Sequence, residues 1–383
     1  MKRLSILLSV IIIFFMNCSV TEEKAVSISD WKKLASLTAL GKSGVAAPVA
    51  GISNNVLIAG GGADFPEALP WLGGKKKYYD EVFIYEMKAD TLIQKSKSFT
   101  LSNAVAYAAN CSTGNALIYA GGENENGISN KVFELSWNND AGELKITGLP
   151  DLPLALTNAG MVACNDQLII GGGETATETS AKCFSLNLKD IASGWKELAQ
   201  IPKPVSHMVM ALQSVDGNDY IYLLGGRCKK ETGISDLYDD VYALDIKKNK
   251  WEKKPGLPYA LTAGTGIRLN DECIALLGGD TGETFHQSEL LSAAIKAEKD
   301  TSRLAQLNKE RIALLNTHPG FSRRILIYNS RTGICMEEDS LPFQTPVTTT
   351  AFVWNKKILI PGGEIRAGVR TPDIWSASIN NKN

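Results

Sequence analysis

Histidine is almost absent from this sequence: His207, His286 and His318 are the only three in 383 residues. A dedicated transition-metal centre, such as a copper oxidase uses, needs a more specific ligand set, so no metal is implied. The seven cysteines do not supply one, because none falls in a Cys-x-x-Cys pair or any other metal spacing. Six of them, Cys111, Cys164, Cys183, Cys228, Cys273 and Cys335, are scattered and read as small buried apolar residues; disulfides between them stay open, since the sequence cannot pair them. An excess of either charge is also missing. Forty basic residues stand against 41 acidic ones, a net charge of −1, with no basic stripe and no interleaving of aromatic with basic residues, which removes nucleic acid as a partner. The longest apolar run, Leu4 to Met16, is too short and wrongly flanked for a spanning helix.

What the chain does have is a repeat. Six apolar runs each end in a pair of glycines: Gly61-Gly62, Gly121-Gly122, Gly172-Gly173, Gly225-Gly226, Gly278-Gly279 and Gly362-Gly363. After each pair come a polar loop and an aromatic-rich strand such as VFIYE, VYALDI or ILIYNS, and a Trp or Leu-Pro segment usually closes the unit. Successive pairs are 60, 51, 53, 53 and 84 residues apart, close to the period of about 50 of a kelch blade. Each unit reads as a small antiparallel sheet, and the whole as an all-β, six-bladed kelch-type β-propeller. The glycines are expected where the chain leaves a buried inner strand near the crowded axis and must turn without a Cβ.

The two ends of the chain complete each other. The last unit lacks a fourth strand, whereas Asp30-Trp31-Lys32-Lys33-Leu34 resembles the outer-strand segments at Trp195 and Trp251. The N-terminal segment is therefore expected to close the ring as the outer strand of the last blade. This divides the chain into a signal at residues 1–17, a linker at 18–28 and one propeller at 29–380. Lys2-Arg3, the apolar run and then Cys18 resemble a bacterial lipoprotein signal, although Phe15-Met16-Asn17 replaces the usual small residues. The expectation is lipidation at Cys18 and a periplasmic or outer-membrane location, with membrane contact through the anchor alone; simple cleavage and a free periplasmic protein is the alternative.

The residues just past the glycine pairs are expected at one mouth of the central channel. They are Glu123, Glu174, Arg227, Asp280 and Glu364, with Ala63-Asp64 in the first unit. Such groups often only bridge neighbouring blades. A ring of acids with one arginine also suits a polar sugar, whose hydroxyls need paired donors and acceptors. In the last unit Glu364 and Arg370 flank an Ala-Gly turn, so an acid able to move a proton and a fork-shaped cation suited to a carboxylate could face one ligand; a surface ion pair is the plain alternative. Lys75 to Lys77 and Tyr78 could contact that ligand or merely solvate their loop.

The segment GGEIRAGVRTPDIW resembles the Gly-Glu, Pro-Gly-Leu-Arg-Thr segment of bacterial N-acetylneuraminate epimerases, the kelch-type sialic acid mutarotases. Residues 51–86 are similar to a late blade of that family and residues 167–202 to its opening blade, so the order resembles the cyclically permuted branch. The long gap before Gly362 fits too: about residues 285–318 read as a helical insertion, with Leu290, Leu291, Ala294, Ile295, Leu304, Leu307, Ile312 and Leu315 at helical spacing. It would pack on its blade or form a lid. The resemblance implies an isomerase that exchanges the anomers of sialic acid without a cofactor, with Glu364 as the acid/base and Arg370 on the carboxylate. Arg227, Asp280, Glu174 and Glu123 remain candidate substrate contacts. A non-catalytic glycan-binding propeller and a kelch interaction scaffold are the competing readings.

Overall fold

The computed structural model describes residues 26–381 apart from residues 38, 39, 42 and 96. The expected signal at 1–17 and the expected lipidation site Cys18 lie outside the described residues. Six antiparallel sheets surround one axis. In the first, Val49–Ser53, Val56–Gly60, Glu81–Lys88 and Thr91–Gln94 lie side by side in chain order. The same order recurs in the next four blades, whose first strands are Ala109–Ser112, Gly160–Cys164, Val209–Val215 and Thr265–Arg268. The sixth blade begins with Phe352–Trp354 and Lys357–Pro361, continues with Asp373–Asn381 and is completed by the N-terminal strand Val26–Ser36. The ring closes as expected, with Val26 opposite Asn381 and Ser36 opposite Asp373. The strand starts at Val26, ahead of the expected boundary at 29. Trp31 sits at an irregularity between the paired residues Ser29 and Lys32, and its ring meets Phe343 edge-on at 5.4 Å.

One detail differs from expectation. The glycine pairs end the second strand of each blade; the first strands lie innermost, where those of neighbouring blades touch. The need for glycine comes from the next blade rather than from the axis itself. At Gly172, φ is +66°, and an added Cβ would collide with the carbonyl oxygen of Val205 in the following blade. Gly173 N–H then bonds that same oxygen at 2.8 Å. The pair is thus a seam between blades.

The apolar core is divided in the same way. Six buried clusters each join two adjacent blades; one of them packs Leu57 and Tyr85 against Phe352, Leu359 and the closing strand's Leu34. Alternate residues of the second and third strands point into opposite interfaces, which explains why those strands are apolar on both faces. Among the cysteines expected to be buried, Cys164, Cys183 and Cys273 are, while Cys111, Cys228 and Cys335 are half-buried; none of the six is disulfide-bonded.

At one mouth the first strands begin with a repeated device. The residue after each glycine pair forms a bridge to the start of its own blade: Ala63 to Ala46, Glu123 to Ala106, Glu174 to Thr157, Arg227 to Ser206, Asp280 to Thr262 and Glu364 to Val347. The next residues, Ala47, Tyr107, Asn158, His207, Ala263 and Thr348, all have left-handed φ between 47° and 58°. Each donates its N–H to the carbonyl of its counterpart in the preceding blade, at 2.6 to 3.4 Å, and the six bonds close a ring around the axis. A left-handed non-glycine residue costs about 1–2 kcal/mol, and a net hydrogen bond returns about 0.5–1.5 kcal/mol. The ring therefore adds little stability, but it sets six side chains around the mouth in defined directions.

The helical insertion is two helices, α1 at Glu283–Ala297 and α2 at Thr301–Asn316. The break follows from Asp300, whose side chain caps α2 by accepting the Arg303 N–H at 2.7 Å. Leu307 is the one residue of the two helices that is fully buried, and Leu290 of the expected stripe is exposed. The apolar stripe therefore does not sink into the blade. It serves the helix pair and the site beside it.

Candidate functional site

A cavity of about 210 Å3 lies at this mouth, between blades 4 to 6 and the helix pair. Its charged and titratable lining is His207, Arg227, Asp280, His318 and Glu364. Phe285 of α1, Leu315 of α2 and Phe321 supply apolar wall. The helices accordingly wall the cavity. Three of the expected residues, Arg227, Asp280 and Glu364, are brought together here, and Glu174 reaches the same place from blade 3 through Arg227.

Arg227 is held by an ordered set of contacts. Its Nη2 lies 3.4 Å from Glu174 Oε1 and 3.5 Å from His207 Nε2, and its guanidinium stacks over the Phe285 ring at 4.8 Å. Ser206 Oγ gives its single proton to Glu174 Oε1 at 2.8 Å, so the 3.0 Å contact between Ser206 Oγ and His207 Nδ1 needs the proton on Nδ1. Nε2 is then a lone pair facing the arginine. Burial, and after it the Arg227 charge, holds His207 well below the usual histidine range, which agrees with a neutral ring of that tautomer.

Asp280 sits at the start of α1, where its Oδ1 accepts the Gly282 N–H at 2.7 Å. Burial raises its carboxyl above the ordinary range, against the opposing pull of that hydrogen bond and of His318 and Arg227. His318 is lowered, again by burial first. Its Nδ1 accepts the Gly320 N–H at 3.0 Å, which leaves Nε2 to carry the proton of the neutral ring.

Glu364 and Arg370 pair across the turn between them. Glu364 Oε1 accepts the Gly368 N–H at 2.8 Å, and Oε2 lies 2.8 Å from Arg370 Nη1, an ion pair whose N–H does not point along a hydrogen bond. Glu364 reaches the cavity with 18% of its side chain exposed, whereas Arg370 lies beneath it with 4% exposed and is not part of the lining. The arginine also lies 5.1 Å over the Phe65 ring and 3.4 Å from the Ala63 carbonyl.

Glu123 stands in the opposite half of the mouth. Its Oε1 accepts from Tyr78 OH at 2.7 Å and from Lys76 Nζ at 3.0 Å, and Lys76 lies 4.8 Å from the centre of the Tyr107 ring. The Tyr78 phenol is pushed up to about 12 by burial and by the bond to Glu123. Lys75 is exposed and outside the cavity. The blade 1 loop reaches across the mouth to α2, where Trp71 Nε1 bonds Asn316 Oδ1 at 2.8 Å.

Sequence reasoning passed over His207, His318, Ser206, Phe285 and Tyr107 as parts of this mouth. A signal for some of them existed. LPLALTN, IPKPVSH and LPYALTA are equivalent stretches ahead of first strands, and their last residues are ring positions Asn158, His207 and Ala263. No such register marks His318 or Phe285, which reach the cavity only through the packing of the helix pair. Among the described residues there is no cluster of three or more metal-ligating side chains.

The family model described as N-acetylneuraminate epimerase matches residues 149–383. The match starts shortly before the stretch 167–202 that resembles that family's opening blade, and it includes every lining residue of the cavity. The N-acetylneuraminate epimerase of Salmonella typhi is 27% identical over 239 residues, which is 61% of this chain and 59% of that protein. That of Haemophilus influenzae (strain PittEE) is 26% identical over 228 residues, 58% of this chain and 57% of the relative. The aligned part thus spans less than two thirds of these relatives' length.

Proposed function

Because this chain belongs to the N-acetylneuraminate epimerase family, we propose that it is a sialic acid mutarotase that exchanges the α- and β-anomers of N-acetylneuraminate by opening and reclosing the sugar ring. The observation that carries the reading is the cavity shared by Glu364, Asp280, Arg227 and His318. Ring opening requires loss of the proton on the anomeric hydroxyl and gain of a proton at the ring oxygen; closure on the other face reverses both transfers. Two carboxyls in different surroundings suit that exchange. Glu364, beside the Arg370 guanidinium, takes the anomeric proton as carboxylate. Asp280, which burial biases toward its protonated form, gives one to the ring oxygen. On closure each group reverses its part, and both return to their starting states. His318 Nε2–H is available to bond the ketone oxygen of the open chain. No group outside the chain takes part in these transfers.

Arg370 in this scheme acts on the sugar through Glu364, holding the carboxylate beneath the mouth. A direct hold on the substrate by Arg370 would require the ion pair to open. Export through residues 1–17 and lipidation at Cys18 belong to the same proposal and would place the propeller in the periplasm or on the outer membrane; one acyl chain binds only marginally, so a stable anchor needs more than one.

The test is an NMR time course of freshly released α-anomer with purified protein. Exchange faster than in buffer, and proportional to protein concentration, supports the mutarotase. Binding of the sugar with exchange at the solvent rate would make the protein a lectin instead.

A further inference from the structure

We infer that Arg227 is the anchor for the carboxylate of the sugar acid, held in a preset orientation by Glu174, His207 and the Phe285 face of α1. The inference rests on the mutarotase reading for the identity of the ligand, and goes beyond it in assigning the anion contact.

Four observations carry it. Among the described residues, Arg227 is the one lysine or arginine that lines the cavity. Arg370 is buried under Glu364, and Lys76 is engaged by Glu123 on the far side of the mouth. Of the two acids in the lining, Glu364 would repel a carboxylate and Asp280, which burial biases toward its neutral form, offers it no positive charge. An anionic sugar must therefore turn its carboxylate toward Arg227 to enter at all.

The second observation is unused bonding capacity. The contacts of Arg227 with Glu174 and His207 both fall on Nη2 and are long, at 3.4 and 3.5 Å, and the buried Nε has no partner. A guanidinium has five N–H groups in a fixed fork, and here most of that capacity is unspent.

Third, the arginine is oriented before any ligand arrives. Phe285 covers one face of the guanidinium, and the neutral His207 accepts at its edge without adding a competing positive charge. Side-chain order of this kind lowers the entropy cost of binding. Fourth, Phe285 belongs to the insertion, so the helix pair contributes to recognition directly as well as by enclosing the cavity.

The experiment compares N-acetylneuraminate with its methyl ester, which keeps the sugar but removes the anion, by calorimetric titration of the full-length protein. The parent should bind the acid roughly 10- to 100-fold more tightly than the ester, as expected of a charged hydrogen-bonded contact. Arg227→Lys, which keeps the charge but loses the planar fork, should lose most of that preference while its affinity for the ester stays within a few-fold of the parent. Phe285→Leu should lower the preference by a smaller factor. Should Arg227→Lys fail to fold, Phe285→Leu alone decides, and an unchanged preference there overturns the proposal. So does a parent that binds acid and ester alike, or an Arg227→Lys variant that discriminates as well as the parent.

The two readings fail separately. A protein that prefers the acid through Arg227 but leaves anomer exchange at the solvent rate retains the anchor and loses the mutarotase. A protein that accelerates exchange while Arg227→Lys still prefers the acid retains the mutarotase and loses the anchor.

Discussion

Replacing Glu364 by glutamine separates proton transfer from support of the site. The substitution keeps shape and an oxygen that can still accept the Gly368 N–H, now at 2.8 Å, but removes both the titratable group and the charge facing Arg370. Loss of a general acid/base costs about 10²–10⁴ in rate, so exchange should fall by that factor while binding of the sugar persists. Stability should fall too. Breaking a fully buried ion pair by removing one partner costs about 3–5 kcal/mol. Glu364 retains 18% exposure, so water can reach the broken pair, although the amide that keeps its oxygen on Gly368 turns its NH2 toward Arg370, whose own side chain is 4% exposed; the expectation comes down to about 1.5–3 kcal/mol. The assay is urea unfolding of Glu364→Gln, Arg370→Met and the double variant, with anomer exchange measured on each by NMR. If the two side chains act as a pair, the double variant loses less stability than the sum of the singles, with a coupling of about 0.5–3 kcal/mol. Additive losses refute the pairing. Exchange at the parent rate in Glu364→Gln, with the enzyme limiting, refutes the proton-transfer role.

Three further outcomes follow from the same structure. Leu34 of the closing strand is 8% exposed in the cluster between blades 6 and 1, so Leu34→Ala should cost about 2–5 kcal/mol in chemical unfolding; a loss under about 1 kcal/mol would show that the strand is not needed to hold the ring. Burial raises the Asp280 carboxyl in the folded chain, so the folded state favours the protonated form, and this contribution to stability fades as pH rises through the folded value. Asp280→Asn cannot titrate, and its melting temperature relative to the parent should climb as pH rises above the ordinary carboxylate value of about 4 and level off once the folded value is passed; a difference independent of pH would refute that burial cost. For the anchor proposed at Cys18, Cys18→Ser should move the protein out of the membrane fraction, and a variant that still fractionates with membranes counts against acylation.

Much of the architecture is legible in the chain because it is written in local, repeated chemistry. A left-handed glycine pair after an apolar strand is demanded by contacts that recur at every seam, so the six blades could be counted directly, and the lone outer-strand segment around Trp31 indicated where the ring closes. The same periodicity placed Glu123, Glu174, Arg227, Asp280 and Glu364 at equivalent positions, because each pairs with the start of its own blade. Equivalence in the repeat does not decide what a side chain touches. Glu123 turns to Lys76, Glu174 braces Arg227, and Arg370 sits beneath Glu364 instead of lining the cavity.

Those choices belong to the tertiary structure because they depend on elements with no fixed register to the repeat. The helix pair stands beside blade 5 and brings Phe285, Leu315 and His318 against residues far away in the chain, which no spacing rule encodes. The tautomer of His207 likewise depends on a serine, a glutamate and an arginine drawn from two blades. Sequence by itself determined the number of blades, the closure of the ring and the mouth at which polar groups gather. Only packing around the axis decided which of those groups share a cavity and which are consumed by one another, since burial and charge act through space and not along the chain.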